Sequence, residues 1–285
     1  MAISMPLVSG VELAAHLNEE ALLVCDCRFV GDADASRERY ESGHIPGAVH
    51  VYWLDDLSAA DTEVTTFLPS EQEAAGALFR LGIADGTTVV AYSDNGNLYA
   101  SRMWHVLTYY GHDRVALLDG GIEKWEAEGR PLERGRVEPT PAGFLARHSG
   151  WQRRITAEEI LDRLEDGELR LVDVRGPAEF SGAERRAARG GRIPGAALWP
   201  WDGNLRPDGR LREPAEIRAR AEAAGLRPED ELVTYCQGGV RAAHAALALR
   251  TGGYERVRIY DGSWAEWGND PQLPIETTAA PVAAV

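Results

Sequence analysis

The sequence predicts an α/β protein of two similar domains, each a mainly parallel sheet with helices on both faces. Two observations carry this prediction. Four short motifs occur twice, in the same order, along the 285 residues, and a repeat of this length is typical of a duplicated domain. Within each half, short apolar runs alternate with helical patterns, as they do in parallel sheets that helices cover on both faces.

The duplicated motifs are a strand near an Asp-x-Arg, an Ile-Pro-Gly-Ala turn, a second strand, and an Asp-Gly pair that precedes a tryptophan. They pair residues 22–28 with 169–175, 44–48 with 192–196, 88–93 with 231–236, and 118–125 with 260–267. We therefore divide the chain into an N-terminal domain at residues 1–130, a linker at 131–150 and a C-terminal domain at 151–285. The linker is rich in proline, glycine and arginine, and its prolines disfavour regular structure.

In the C-terminal half, three apolar runs predict strands and two helical segments lie between them. In chain order these are a strand at 169–174, a helix at 215–224, a strand at 232–235, a helix at 242–250 and a strand at 257–260. Gly225 marks the end of the first helix, because glycine commonly follows the last helical residue. Ligands of such sheets bind at the carboxyl ends of the strands, so we expect a site in the loop that follows residue 235.

Composition and charge exclude several classes of function. The net charge of −15 argues against nucleic acid as a partner, because phosphate binding needs a basic surface. The N-terminus lacks the pattern of a signal peptide, and no run approaches the ~18 apolar residues that a membrane helix needs. The three cysteines, Cys25, Cys27 and Cys236, form no spaced disulfide framework. We therefore expect a soluble cytoplasmic protein without membrane contact.

Cys25 and Cys27 are interpreted as core residues. They stand two residues apart in a predicted strand, so their side chains lie on one face. A metal site would need more ligands at suitable spacing, and the sequence around them offers none. The sequence therefore predicts no metal.

Cys236 is the candidate catalytic residue, because it ends a predicted strand directly before a loop and a helix. The loop residues are Gln237, Gly238, Gly239 and Val240. Glycine tolerates positive φ, so successive N–H groups converge on one point, where the helix N-terminus adds partial positive charge. Arg241 adds a planar guanidinium that suits a tetrahedral oxyanion. A sulfur atom at this place ionises more easily, and an anion beside it is stabilised.

These features are the ones that a sulfur carrier requires. A thiolate must attack the sulfur of a donor, release an anion such as sulfite, and hold an anionic persulfide until an acceptor arrives. Backbone donors serve all three steps without a side-chain base, in a covalent mechanism of two half-reactions. This chemistry needs no metal and no organic cofactor.

The sequence resembles the tandem-domain rhodaneses, the family of thiosulfate and 3-mercaptopyruvate sulfurtransferases. The resemblance covers nearly the whole chain and rests on residues 42–48, 171–175 and 260–268 and on the cysteine loop. It implies two rhodanese-like domains, of which the N-terminal one is inactive; Ser93 stands there in place of the cysteine. It further implies that Cys236 carries a persulfide within a cradle formed by residues 237–241. The sulfur would come from a small anionic donor, thiosulfate or 3-mercaptopyruvate, and pass to cyanide or a thiol.

Asp173 and Arg175, at the end of the first strand of the C-terminal half, are candidate supporting residues. A charged pair at a strand end is commonly a surface ion pair, but this one lies at the carboxyl edge of the sheet, where sites form. The resemblance implies that Asp173 steadies the loop. The family often places an arginine a few residues later, where this sequence has Glu179. Residues 237–239 match neither thiosulfate-selective nor mercaptopyruvate-selective loops, so both donors stay open.

Two other functions also stay open. A cysteine loop before a helix binds phosphate in phosphatases, but there the arginine stands one position further from the cysteine, where this chain has Ala242. The chain is alternatively a non-catalytic binding module, which the retained Cys236 and its glycine loop disfavour. The sequence does not identify a protein acceptor.

Overall fold

A computed structural model describes residues 3–144, 146–147, 154–164 and 169–277. The chain divides into two compact units. The first comprises Met1–Asp61, Leu68–Gly150 and Arg206–Leu211, and the second comprises Thr62–Phe67, Trp151–Leu205 and Arg212–Val285. Each unit therefore includes a short segment from the other half of the sequence. The predicted boundary after residue 150 lies outside the described residues, and the described part of the predicted linker holds no helix or strand.

The first unit is built around a five-stranded sheet with the strand order β1-β5-β4-β2-β3. Each of its described strand pairs is parallel. In chain order its elements are β1 (Leu7–Val8), α1 (Gly10–His16), β2 (Leu22–Asp26), α2 (Ala33–Ser42), β3 (Val49–His50), α3 (Trp53–Asp56), α4 (Glu71–Arg80), β4 (Thr88–Tyr92), α5 (Leu98–Tyr109), β5 (Val115–Leu118) and α6 (Gly121–Ala127).

The second unit repeats this topology with the strand order β6-β10-β9-β7-β8, and its described strand pairs are again parallel. Its elements are β6 (Arg154–Ile155), α7 (Ala157–Asp162), β7 (Leu169–Asp173), α8 (Pro177–Ser181), β8 (Ala197–Leu198), a 3-10 helix (Trp201–Asn204), α9 (Pro214–Ala223), β9 (Glu231–Tyr235), α10 (Val240–Thr251), β10 (Val257–Tyr260) and α11 (Ser263–Trp267). The predicted fold class, two α/β domains with parallel sheets, is therefore confirmed.

The strands and helices predicted for the C-terminal half are present as β7, α9, β9, α10 and β10, with ends that differ by at most two residues. Gly225 follows the end of α9 with a φ of +79°, a conformation that glycine adopts without the clash that a Cβ would cause. Helix α10 begins at Val240, two residues before its predicted start. The site loop is therefore shorter than the sequence indicated.

Helix α10 lies in the interior because alanine dominates it. Residues 242–249 are all buried, and seven of these eight residues are Ala or Leu, with five Ala among them. The helix packs against β9, β10, α9 and the 3-10 helix. A helix that is apolar on all sides is typical of a protein interior, and small side chains let it approach the sheet closely. This packing fixes where the helix begins relative to the strand before it.

The central strand β9 lies between β10 and β7. Its last residue, Tyr235, pairs with Asp173, the last residue of β7. Both strands therefore end at the same edge of the sheet, above a core cluster that includes Val233, Tyr260 and Trp267. Cys236 is the next residue of the chain after β9, at this carboxyl edge.

Candidate active site

Two hydrogen bonds of the Cys236 backbone, and a third from Ser263 to the end of β10, connect the end of β9 to the start of α11. Its N–H donates to Ser263 Oγ at 3.0 Å, and the Ser263 hydroxyl donates to the carbonyl of Tyr260 at 2.8 Å. The N–H of Trp264 donates to the Cys236 carbonyl at 3.0 Å. The side chain of Cys236 is buried, with 1% of the residue exposed. The Asp-Gly-Ser-Trp motif of the sequence thus fixes the backbone at the cysteine.

The loop after Cys236 presents a row of unused backbone donors. Gly239 is the N-cap of α10 and has a φ of +82°, which a residue with a Cβ adopts only with strain. Within the described ranges of the chain, no group accepts a hydrogen bond from the backbone N–H groups of residues 237–242. These donors lie at the positive end of a 12-residue helix. Together they form a place where an anion is stabilised next to the cysteine sulfur.

Gln237 and Gly238 are fixed by neighbours on either side of the loop. The Gln237 side chain donates through Nε2 to the backbone carbonyl of Arg186 at 3.1 Å, and the backbone carbonyl of Gln237 accepts from the N–H of Ala265 at 2.8 Å. A Cβ at Gly238 would lie 2.9 Å from Oγ1 of Thr66, which belongs to the second unit. A larger residue at position 238 would therefore displace the segment that carries Thr66.

Arg241 lies at the second position of α10 and forms a two-pronged ion pair with Glu179. Its Nη1 and Nη2 donate to the two carboxylate oxygens of Glu179 at 2.7 and 2.9 Å. Burial lowers the pKa of Arg241, but the hydrogen bonds to Glu179 and the charges of Cys236 and Glu179 raise it more, so the pKa lies above its usual value. The predicted cradle residue is thus near Cys236, but its guanidinium already has an anionic partner.

Asp173 and Arg175 form a buried pair rather than the surface pair that is common at strand ends, with 0% and 1% of each residue exposed. Nε and Nη2 of Arg175 donate to the Asp173 carboxylate at 2.9 and 2.6 Å, and Nη2 also donates to the carbonyl of Gly191 at 2.6 Å. The Arg175 guanidinium carbon lies 5.7 Å from the centre of the Tyr235 ring. The pair thus lies next to Tyr235, the residue before Cys236, in the interior of the protein.

The first unit has an equivalent pair and an equivalent loop without a cysteine. Arg28 donates to Asp26 and to the carbonyl of Gly43, as Arg175 does to its partners. Ser93 follows β4 directly, at the position that corresponds to Cys236. Its hydroxyl accepts from the N–H groups of Tyr99 and Ala100 at 3.2 and 3.3 Å.

The other two cysteines lie in the core of the first unit. Cys25 and Cys27 are both fully buried. Burial, with smaller contributions from neighbouring acidic groups, raises the pKa of both thiols well above the usual range. Both side chains therefore stay protonated, as core residues do. In the part of the chain that the structure describes, no group of three or more His, Cys, Asp or Glu side chains is arranged to hold a metal ion.

Two contributions to this site could not be predicted from the sequence. The pairing of Glu179 with Arg241 joins positions 62 residues apart, and the segment of Thr66 comes from the other half of the chain. Glu179 was visible as an unexpected acidic residue, whereas no feature of residues 62–67 indicated a place near the loop.

No helix among the described residues is both long enough and apolar enough to cross a bilayer.

Two segments of the chain, residues 9–128 and 156–270, match the family described as Rhodanese-like domain. The chain is 38% identical over 282 residues to a thiosulfate sulfurtransferase of Corynebacterium glutamicum, an alignment that covers 95% of this chain and 90% of that protein. It is 37% identical over 281 residues to a probable 3-mercaptopyruvate sulfurtransferase of Pseudomonas aeruginosa, with 96% of this chain and 99% of that protein covered.

Among solved structures, the chain is similar to an anaerobic ergothioneine biosynthesis enzyme from Chlorobium limicola in complex with trimethyl histidine. The TM-score is 0.86 at 28% identity, and the match covers 96% of this chain and 71% of that chain. A variant of EanB that carries a cysteine persulfide, in a tetrahedral intermediate state with ergothioneine, matches with the same TM-score, identity and coverage.

Proposed function

The chain belongs to the rhodanese family, and from this premise we propose that it is a sulfurtransferase that carries sulfur as a persulfide on Cys236. The sulfur comes from thiosulfate or 3-mercaptopyruvate and passes to cyanide or to a thiol. Relatives of both names, each more than a third identical over nearly the whole chain, support sulfur transfer. The reaction uses no metal and no organic cofactor in this proposal.

The observation that carries the assignment to Cys236 is the set of unused N–H groups beside it. The backbone donors of residues 237–242 have no acceptor among the described residues, and they lie at the N-terminus of α10. Such donors stabilise negative charge without having to reorganise during the reaction. They serve a thiolate, an anionic donor and a persulfide in turn.

In the first half-reaction, the Cys236 thiolate attacks the outer sulfur of thiosulfate. A sulfur–sulfur bond forms at the cysteine, the sulfur–sulfur bond of thiosulfate breaks, and sulfite leaves with the bonding electron pair. With 3-mercaptopyruvate the carbon–sulfur bond breaks instead, and the enolate of pyruvate leaves and takes up a proton. The loop N–H groups stabilise the charge that develops on the transferred sulfur.

In the second half-reaction, an acceptor attacks the outer sulfur of the persulfide. Cyanide yields thiocyanate, and a thiolate yields a new persulfide on the acceptor. In both cases the bond to Cys236 breaks, and its sulfur keeps the electron pair as a thiolate, ready for another donor. The sulfur atom that thiosulfate supplies is at the sulfane oxidation level in the donor, in the persulfide and in the product, so no external oxidant is required.

Two further assignments belong to this proposal. Cys25, Cys27 and Cys236 are all free thiols, and free thiols persist in reducing compartments, so we place the protein in the cytoplasm. The partners are the small anionic sulfur donor and a cyanide or thiol acceptor; nucleic acid is not among them, since the net charge is −15.

The alternatives left open by the sequence are not favoured. The named relatives are sulfurtransferases, whereas a phosphatase would need the loop arginine for its phosphate. Here both terminal nitrogens of Arg241 donate to Glu179. A non-catalytic module would not require a cysteine surrounded by backbone N–H groups that have no acceptor.

Intact-mass spectrometry of the purified protein tests the proposal. Incubation with thiosulfate or with 3-mercaptopyruvate is expected to add one sulfur atom, which cyanide then removes. The matched control is Cys236→Ser, which is expected to gain nothing. No added sulfur from either donor, while Cys236 still reacts with a small alkylating reagent, would refute the proposed function.

A further inference from the structure

The Cys236 loop is bordered by an acidic residue that the mechanism above does not use. Glu179 lies on α8, and only 5% of the residue is exposed. Besides accepting both hydrogen bonds from Arg241, its carboxylate accepts from the N–H of Gly176 at 3.2 Å. The carboxylate is therefore fixed from two sides, by the start of α8 and by the second residue of α10.

Both members of this pair keep their charges. Burial raises the pKa of Glu179, but the hydrogen bonds and the charge of Arg241 lower it more, so its pKa lies below the usual value. Arg241 is protonated at any physiological pH, and Cys236 is among the charges that act on it. The positive charge next to the cysteine is thus balanced by an equal negative charge at hydrogen-bonding distance.

The other charges near the pair do not restore a strong positive field. Nη1 of Arg186 lies 3.9 Å from Glu179 Oε1, but the Arg186 side chain is 52% exposed, so water and salt screen its charge. Arg175 is paired with Asp173 at 2.6 Å. An anionic donor in the loop therefore meets backbone dipoles rather than an unbalanced guanidinium.

We propose that Glu179 sets how strongly the loop discriminates between doubly and singly charged sulfur donors, because it neutralises Arg241. This inference rests on the proposed sulfurtransferase function. Thiosulfate carries two negative charges, and 3-mercaptopyruvate carries one on its carboxylate. An unbalanced guanidinium would favour the dianion more, whereas backbone N–H dipoles depend less on the total charge of the donor. Glu179 is in this sense a positioning residue that acts through Arg241.

Three variants separate the charge of the pair from its packing. Glu179→Gln leaves one unbalanced positive charge, Arg241→Gln leaves one unbalanced negative charge, and the double variant is neutral again. We expect Glu179→Gln to raise the ratio of kcat/KM for thiosulfate to that for 3-mercaptopyruvate about tenfold, the size of one unit charge in a partly buried site. Arg241→Gln is expected to lower the ratio by a similar factor, and the double variant to return within about threefold of wild type.

The matched control is Glu222→Gln. Glu222 pairs with Arg218 on α9, and both side chains are about half exposed, at 51% and 50%. This variant changes the net charge of the protein as Glu179→Gln does, but at a solvated pair, so the donor ratio is expected to stay at its wild-type value.

A second readout does not depend on sulfur transfer. The pH midpoint of Cys236 alkylation by a small reagent is expected to move to lower pH in Glu179→Gln, to higher pH in Arg241→Gln, and to return in the double variant. If the wild type accepted no sulfur but these shifts occurred, the proposed function would fail while the charge effect stood. A folded Glu179→Gln protein with an unchanged donor ratio and an unchanged alkylation midpoint would overturn the inference. A double variant as far from the wild-type ratio as either single variant would overturn it as well.

Discussion

The Cys236 loop and the Ser93 loop occupy the same place in two copies of one fold, yet they differ in what their backbone donors do. In the second unit, the N–H groups that follow Cys236 have no acceptor among the described residues. In the first unit, donors that follow Ser93 have protein acceptors: Asn95 N–H donates to Glu123 Oε1 at 2.8 Å, and the N–H groups of Tyr99 and Ala100 donate to Ser93 Oγ at 3.2 and 3.3 Å. Backbone donors that already have protein acceptors are not available to bind an external anion.

The two loops also differ in length and in the residue that caps the helix. Residues 93–97 connect β4 to α5, whereas residues 236–239 connect β9 to α10. Asn97 caps the longer loop at a φ of +65°, and Gly239 caps the shorter one at +82°. The first unit thus differs from the second in its occupied backbone donors as well as in the missing thiol.

The largest effect is expected from moving the cysteine between the two loops. Cys236→Ser should lower turnover at least about a thousandfold, because the nucleophile is lost. Adding Ser93→Cys to that variant should not restore sulfur uptake, since the donors near position 93 are already used. The rate of thiocyanate formation from thiosulfate and cyanide measures the first effect, and intact mass after incubation with thiosulfate measures the second. Uptake of sulfur by the double variant would show that the thiol alone distinguishes the loops.

The next largest effect is expected from loss of the buried ion pair that each unit contains. Asp173→Asn and Asp26→Asn each leave a buried guanidinium without its counter-charge, and we expect each to lower the free energy of unfolding by about 3 kcal/mol or more. Urea denaturation measures this. The control is Asp34→Asn, whose pair with Arg37 is 80% and 44% exposed, and whose loss should cost about 1 kcal/mol at most. Equal effects of all three variants would contradict the distinction between buried and exposed pairs.

A smaller effect is expected at the helix cap of the Cys236 loop. Gly239→Ala should lower the free energy of unfolding by about 1–2 kcal/mol, because its φ of +82° strains any residue with a Cβ. Gly239→Asn should cost less, since asparagine adopts this conformation more easily and does so at Asn97. Gly86→Ala is the control, since it has open space and no positive φ. A Gly239→Ala protein as stable as the control would remove the argument from backbone strain.

The smallest effect is a pH dependence at Glu179. Its folded pKa is lower than the usual 4.5, so its contribution to stability is present above pH 4.5 and is lost as the pH falls through the folded pKa. The stability difference between wild type and Glu179→Gln should therefore narrow in acid. Thermal unfolding of both proteins between pH 7 and pH 3 measures this difference. A stability difference that grows in acid would contradict a lowered pKa of Glu179.

The fold and the position of the cysteine could be predicted from the sequence because both depend on local patterns. Apolar runs, the glycine after α9 and the glycines after Cys236 each act over a few residues, and the strands and helices of the C-terminal half were confirmed. The environment of Arg241 could not be obtained in this way. Its partner Glu179 stands on another helix, and the choice between binding an anion and binding Glu179 depends on tertiary packing.

The same limit applies to Asp173 and to Thr66. A charged pair at a strand end has the same sequence pattern whether it is exposed or buried, and only the packing around Asp173 shows that it is fully buried. Thr66 lies among residues without regular secondary structure, so no periodicity indicated that it approaches Gly238. The roles of Asp173 and of residues 237–241 in sulfur transfer stay predictions.

The burial of the Cys236 side chain limits which molecules can contact its sulfur atom. With 1% of the residue exposed, the resting sulfur is shielded from oxidants that convert accessible thiolates to sulfenic and sulfinic acids. In the proposed mechanism a persulfide would add one sulfur atom at about 2.05 Å from Cys236 Sγ, and this outer atom is the one that the acceptor removes. We therefore expect Cys236 to resist overoxidation when it carries no sulfur, and we expect its acceptor to be small or slender enough to enter the loop.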